Sequence, residues 1–333
     1  MQQTTRYTRT DVSVNAETCW PELRGGCRRH RPIRQLSRLS GTHGRSRGTP
    51  EADTGWAAMR AERSSSSFMK IATFNINNVN RRLPHLLDWL RSASPNVVCL
   101  QELKCSDREF PARAIRNLGY HAVWRGQRTW NGVAILSRDT EPIVTRTALP
   151  GDPNDEEARY IEAAVAGILI GCIYLPNGNP QPGPKFDYKL NWFKRLQTHA
   201  KGLLRTGVQT VLAGDFNVAP TSIDIYPTSS WDDDALVQPE SRAAYARLIR
   251  QGWTDAIRER FGDERVYTFW HYLRHRWERD AGLRLDHLLL SPNLAACLND
   301  AGVDRLVRGK RGASDHAPVW IALRLRKAKA PRA

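Results

Sequence analysis

The ten residues Val211-Leu-Ala-Gly-Asp-Phe-Asn-Val-Ala-Pro220 set the terms for the whole chain. An apolar run without polar alternation reads as a strand buried on both faces, and this one stops at Gly214, Asp215, Asn217 and Pro220. Asp215 and Asn217 are two apart, so on an extended backbone both point to the same side. One can hold or deprotonate a water while the other donates a hydrogen bond to a charged oxygen. Taken alone, the stretch fits a polar turn after a strand equally well.

The rest of the chain repeats the pattern. Strands are expected at Lys70–Asn75, Asn96–Gln101, His121–Trp124, Gly132–Ser137, Glu141–Thr147, Tyr160–Ala166, Ile168–Leu175, Leu285–Leu290 and Val319–Leu325. Helical spacing predicts Arg81–Ser92, with Pro84 tolerated in its first turn, and also Asp107–Asn117, Asp187–Arg205 and Ser241–Gln251. Mixed strands and helices throughout imply an α/β domain of two packed sheets flanked by helices.

Before Met69 the chain has a different character. Residues 1–68 carry twelve arginines and no lysine against six acidic residues, show neither helical nor strand period, and close on Ser64-Ser-Ser-Ser67. They read as a disordered basic extension, a product of a misassigned start, ahead of a catalytic domain at 69–327 and a basic tail at 328–333. The formal charge is +16, of which +10 remains outside the extension, so the basic character belongs to the domain and suits a polyanion such as nucleic acid. No apolar run approaches the roughly 18 residues of a membrane span. Six scattered cysteines form no close pair and fit a reducing cytoplasm, with Cys99 and Cys172 behaving as small core residues.

The strand ends carry the chemistry. Asn75 and Asn77 follow the first strand, Glu102 the second, Tyr174 and Asn177 the Ile168–Leu175 strand; Asp286 and His287 start another, and Asp315 and His316 precede the last. A single Glu after a strand is usually a solvated end, and a lone Asp–His pair is more often structural than catalytic. Five or six such coincidences point to one shared rim. Carboxylates and amides with few histidines favour a hard cation such as Mg²⁺ over zinc. Neutral amides, a phenol and an imidazole suit phosphate oxygens. Together they indicate metal-assisted hydrolysis of a phosphodiester.

The series Phe74-Asn-Ile-Asn77, Leu100-Gln-Glu102, Gly132-Val-Ala-Ile-Leu136, Tyr174-Leu-Pro-Asn177, Gly214-Asp-Phe-Asn217, Leu283-Arg-Leu-Asp286 and Ser314-Asp-His-Ala-Pro-Val319 resembles the exonuclease III family of abasic-site DNA endonucleases. The resemblance runs from about Met69 to Leu325 and implies the endonuclease/exonuclease/phosphatase fold, a four-layer αββα sandwich. It implies that Glu102 binds Mg²⁺ (Mn²⁺ being a substitute), with Asn77 and Asp315 beside it and with Asp215 and Asn217 counted among the metal contacts. Asp215 would activate water with Asn75 in support, Asn217 and Tyr174 would hold the scissile phosphate, and His316 oriented by Asp286 would complete the clamp. Asn177 would touch the DNA backbone, while Phe269, Trp270 and Leu283 would wall a pocket for a base-free sugar. The implied substrate is double-stranded DNA with abasic sites or 3′ ends, cut by a monomer in the cytoplasm, nucleoid-associated and without a membrane partner. Leu103, Asn78 and Leu283 stand where Thr, Gly and Trp are common in the family. Two rivals share much of the pattern: a phosphatase of the same superfamily acting on a non-DNA phosphate, and a non-catalytic nucleic-acid-binding protein.

Overall fold

The computed structural model describes residues 66–326; of the expected extension at 1–68, residues 1–65 lie outside the described residues, as does the basic tail at 328–333, while 66–68 belong to the first strand. In chain order the strands are β1 (Ser66–Asn75), β2 (Val97–Gln101), β3 (His121–Arg125), β4 (Val133–Ser137), β5 (Ile143–Arg146), β6 (Tyr160–Val165), β7 (Ile168–Tyr174), β8 (Thr210–Asp215), β9 (Thr254–Asp255), β10 (Asp286–Leu290), β11 (Leu298–Val303) and β12 (Val319–Arg326). The helices are α1 (Leu83–Ala93), α2 (Ala112–Arg116), α3 (Pro184–Thr206), α4 (Pro239–Ile249), α5 (Ala256–Phe261), α6 (Pro292–Ala295) and α7 (Arg305–Arg308).

The strands form two six-stranded sheets, ordered β11-β12-β1-β2-β4-β3 and β5-β6-β7-β8-β10-β9. Each sheet has one parallel pair, β1 with β2 and β7 with β8. Those are the pairs whose strands are separated by a long helix, α1 or α3, since a parallel return needs a crossover. The short connections give antiparallel hairpins such as β6–β7. Ile71, Cys99, Ile135, Ile170, Cys172, Val211 and Leu288 fill the space between the sheets. A second apolar layer lies under α3 and α4, and a third under α1. The result is the four-layer αββα sandwich.

Four local expectations need correction. β1 begins at Ser66, not Lys70, because β12 is long enough to pair with it from Ser66 opposite Arg326 onward. The helix expected at Asp107–Asn117 is split into a single turn at Asp107–Glu109 and α2, since Pro111 cannot continue a hydrogen-bonded helix and holds Phe110 extended. α3 starts three residues before the expected Asp187, at Pro184. β9, β11 and α5 were not foreseen; β11 (Leu-Asn-Asp-Ala-Gly-Val) has little β-branched or aromatic content and forms on an edge by pairing with β12. Among the described residues, no helix is long and apolar enough to cross a membrane.

Candidate active site

The two parallel pairs deliver their strand ends to one rim. β7 and β8 run side by side with Tyr174 opposite Asp215, and antiparallel β10 sets Asp286 against Asp215 from the other flank. Gly214 makes this closeness feasible, because a Cβ there would lie 1.9 Å from the Ile173 carbonyl oxygen. In the facing sheet, β1 ends on Asn75 beside Gln101, one residue before Glu102. The segment Ser314–His316 joins them ahead of β12, tied down by a 2.6 Å bond from Ser314 Oγ to the Asn75 carbonyl. The backbone leaves ordinary space here: Asn77, Asn78, Glu102, Lys104 and Asn217 all have left-handed φ between 46° and 84°. Such strain concentrates where function requires it.

Asn75 bridges the sheets. Its Nδ2 donates to Glu102 Oε1 at 2.9 Å and to Asp215 Oδ2 at 3.0 Å. Tyr174 donates its hydroxyl to the same Glu102 oxygen at 2.8 Å. Burial first, then the Glu102 charge, pushes the Tyr174 phenol well above its ordinary pKa, so it stays a donor. On the more open side, Lys104 Nζ lies 2.8 Å from both Glu102 Oε2 and Asn77 Oδ1, and Asn77 Nδ2 donates to Asp315 Oδ1 at 2.9 Å.

The deeper half is buried and charged. Burial is the main cause that raises Asp215 to about 7, with Asp286 and Glu102 adding to it and the His316 charge and the Asn217 amide opposing. The Asn217 N–H donates to Asp215 Oδ1 at 2.8 Å, and the Asn217 side chain donates to the Leu175 carbonyl at 2.8 Å. Asn177 is exposed and donates to Asn217 Oδ1 at 3.3 Å. His316 Nδ1 pairs with Asp286 Oδ2 at 2.8 Å, and that oxygen also accepts from Thr268 Oγ1 at 2.6 Å. Burial pulls the imidazole down, but Asp286, Asp215 and Asp315 together outweigh it and hold His316 at about 10. Its Nε2 faces Asp215 Oδ2 across 3.8 Å, too far for a hydrogen bond. Asp286 Oδ1 is buried without a partner.

Asp215, Asp286 and His316 lie within 4.8 Å of one another, a spacing an ion can bridge. With the imidazole protonated its ring nitrogens are donors, which leaves the Asp215 and Asp286 carboxylates as the oxygen ligands of that trio. Glu102, Asn77 and Asp315 also present oxygen atoms around a corner where the Lys104 ammonium already sits, which fits a hard cation.

One expected pocket wall turns away from the rim. Trp270 is fully buried, packs edge-on against Tyr267 and Trp277, and donates Nε1 to Asp280 at 2.9 Å. Leu283 is also fully buried. Phe269 does face the site, with its ring 4.9 Å from that of His316. Its apolar cluster includes Leu283, Trp231, Leu236 and Leu285, so Leu283 backs Phe269 from beneath, and Trp231 lies in a polar loop that gives no periodic signal.

Other contributors escaped the sequence reading. Lys104 had a usable signal, lying two residues beyond Glu102. Trp130 is 69 % exposed with Lys104 Nζ 5.5 Å from its ring, and an aromatic between Thr129 and Asn131 in a loop was the available clue. A cavity of about 510 Å³ is lined by Arg81, Arg82, Tyr272, Glu278, Arg308 and Arg311 among others, assembled from segments far apart in sequence.

The sequence profile of the Endonuclease/Exonuclease/phosphatase family matches residues 72–316. Exodeoxyribonuclease III of Haemophilus influenzae is 32 % identical over 269 residues, covering 76 % of this chain and 98 % of that protein. The 3′ phosphatase NExo from Neisseria, solved with a product DNA hairpin, superposes with a TM-score of 0.74 at 38 % identity over 77 % of this chain and 100 % of its own. An AP endonuclease from Archaeoglobus fulgidus does so at 0.74 and 35 %, with the same coverage.

Proposed function

This chain belongs to the Endonuclease/Exonuclease/phosphatase family and within it to the exonuclease III group of abasic-site endonucleases, and from there we propose that it is a Mg²⁺-dependent DNA-repair hydrolase that cuts 5′ to abasic sites and trims 3′ ends. The observation that carries this reading is the 3.8 Å gap between a carboxylate poised near neutrality, Asp215, and a cationic imidazole, His316.

Asp215 takes the proton of a water held against it, and the resulting oxygen attacks phosphorus in line with the departing 3′ oxygen. The Asn217 amide and the Asn75 side chain keep the carboxylate aimed. His316 and Asn217 donate to the phosphate oxygens, where negative charge builds in the transition state, and Tyr174 joins them by turning its hydroxyl from Glu102. Asp286 fixes the imidazole through Nδ1 and leaves the Nε2 proton to the substrate. The bond to the 3′ oxygen breaks and the proton taken by Asp215 is passed to it through solvent, giving a 3′-hydroxyl and a 5′-deoxyribose phosphate. Glu102, Asn77 and Asp315 would hold the Mg²⁺, and Mn²⁺ would take the same oxygens. When bound there, the ion supplies Lewis-acid neutralisation of charge on the phosphate. Asn177, exposed beside Asn217, contacts the DNA backbone, and Phe269 with Trp231 borders the sugar.

The test is a duplex bearing one abasic-site analogue beside an intact duplex, each with Mg²⁺ and with chelator. Incision at the analogue that needs Mg²⁺ is expected, together with slower loss of 3′ nucleotides. Turnover of an inositol phosphate in place of DNA would favour the phosphatase reading, and DNA binding without cleavage would favour the non-catalytic one.

A further inference from the structure

Helix α3 buries a stripe of Phe186, Trp192, Phe193, Leu196, Ala200 and Leu203 against the β7–β8 sheet, and Lys189 lies in the middle of that stripe with no exposed surface. A lysine there contradicts the usual rule that an ammonium finds water or a carboxylate. Among the described residues it has neither an ion-pair partner nor solvent. Its three protons go to three backbone carbonyls: Asn217 at 2.7 Å, Asn177 at 3.0 Å and Ala235 at 3.0 Å.

These carbonyls belong to three separate loops. Asn177 follows β7, Asn217 follows β8, and Ala235 precedes α4. Two of the three are the residues assigned above to the DNA backbone and to the scissile phosphate. The stem of the lysine passes through space that Gly178 leaves open, since a Cβ at that position would lie 2.6 Å from Lys189 Cδ. An ammonium offers three donors from one point, which no neutral side chain does.

We propose that Lys189 is a positioning residue that sets the spacing between Asn177 and Asn217, and with it the register of the DNA backbone against the scissile phosphate. The proposal rests on the nuclease reading. It acts through the loops alone, because the ammonium is enclosed and touches no substrate. A shift of the order of 1 Å in a reacting geometry is enough to cost about a hundredfold in rate, so a slackened loop pair is expected in kcat more than in KM.

The experiment uses the full chain and its Lys189→Met, Lys189→Gln and Lys189→Arg variants on the abasic-site duplex at 15 °C, with circular dichroism confirming the folded state. Lys189→Met is expected to lower kcat at least about tenfold while KM changes less than about threefold, and Lys189→Arg to recover at least about a third of the wild-type kcat. A folded Lys189→Met with kcat within about twofold of wild type, or a loss confined to KM, would overturn the proposal. If Lys189→Met does not fold, the pair Arg and Gln decides: equal kcat for both overturns it, and loss in Gln alone upholds it. Wild-type protein that cuts no DNA overturns the nuclease reading itself, whereas an active wild type with indifferent variants overturns only the role of Lys189.

Discussion

Strand β10 places two buried polar networks on either side of one backbone. Asp286 faces the rim with His316, and the next residue, His287, faces a knot of Arg284, Asp224, Asp255 and Tyr245. In the knot the charges close on one another. Arg284 lies 2.6 Å from Asp224 and 2.7 Å from Asp255, and Asp255 also accepts from Tyr245 at 2.8 Å. Burial works against the ionised Asp255, yet Arg284 and His287 prevail and hold it at about 2. At the rim, burial wins over the neighbours and lifts Asp215 to about 7, while Asp286 Oδ1 has no partner at all. Equal burial therefore gives opposite protonation behaviour, and the direction of the shift separates a locked structural pair from a group kept ready to exchange a proton.

The contrast breaks most sharply at Asp215. Asp215→Asn removes the proposed base and keeps the shape, so cleavage is expected to fall at least about 1000-fold with a melting temperature no lower than wild type. A rate within about tenfold of wild type would move the base elsewhere. The matching substitution in the knot is Arg284→Met, which strands two buried carboxylates. It is expected to cost about 3–5 kcal/mol in urea unfolding while the folded fraction keeps most of its kcat. If stability is unchanged, the knot is not the closed ion-pair network its geometry indicates.

A smaller effect sharpens the rim side. Asp286→Asn and His316→Asn should each slow cleavage about 100-fold, and the double variant should be little worse than either. Losses that multiply would show the two acting independently. The smallest effect is in pH, measured as stability in chelator. Asp215 has a folded pKa of about 7 against an ordinary 3.8, so proton uptake stabilises the fold as pH falls from 7 to 3.8. His287, pushed by burial and then by Arg284 to about 4 from 6.5, is protonated first in the unfolded chain, so it removes stability as pH falls from 6.5 to 4. The two nearly cancel in the wild type. Asp215→Asn should therefore lose stability as pH falls through that window, and His287→Gln should gain it. Parallel pH profiles for the two variants would contradict the opposed shifts.

The rim was legible because its residues stand at the ends of apolar strands, where local pattern and chemistry coincide. Asn75, Glu102, Tyr174, Asp215, Asp286 and His316 could each be located that way. The knot was not legible, since Arg284 and Asp224 are 60 residues apart and nothing local marks them as partners. Lys189 was hidden for a related reason: a lysine on a helix reads as a solvated position until the sheet beneath is in place. Trp270 misled because its motif, Tyr267-Thr-Phe-Trp270, alternates faces, and Phe269 turns to His316 while Trp270 turns to the core.

The pairing of β1 with β12 has a consequence for how the protein is made. The first strand lies between the second and the last, with Thr73 opposite Val319, so its sheet stays incomplete until the final strand has been synthesised. Asn75 and the Ser314–His316 segment thus come from opposite ends of the domain and meet last. A chain still on the ribosome, or one cut short before Val319, holds Asp215 and Glu102 without the His316 side of the rim in place. Such a fragment lacks the closed rim, which is completed in one step with closure of the sheet.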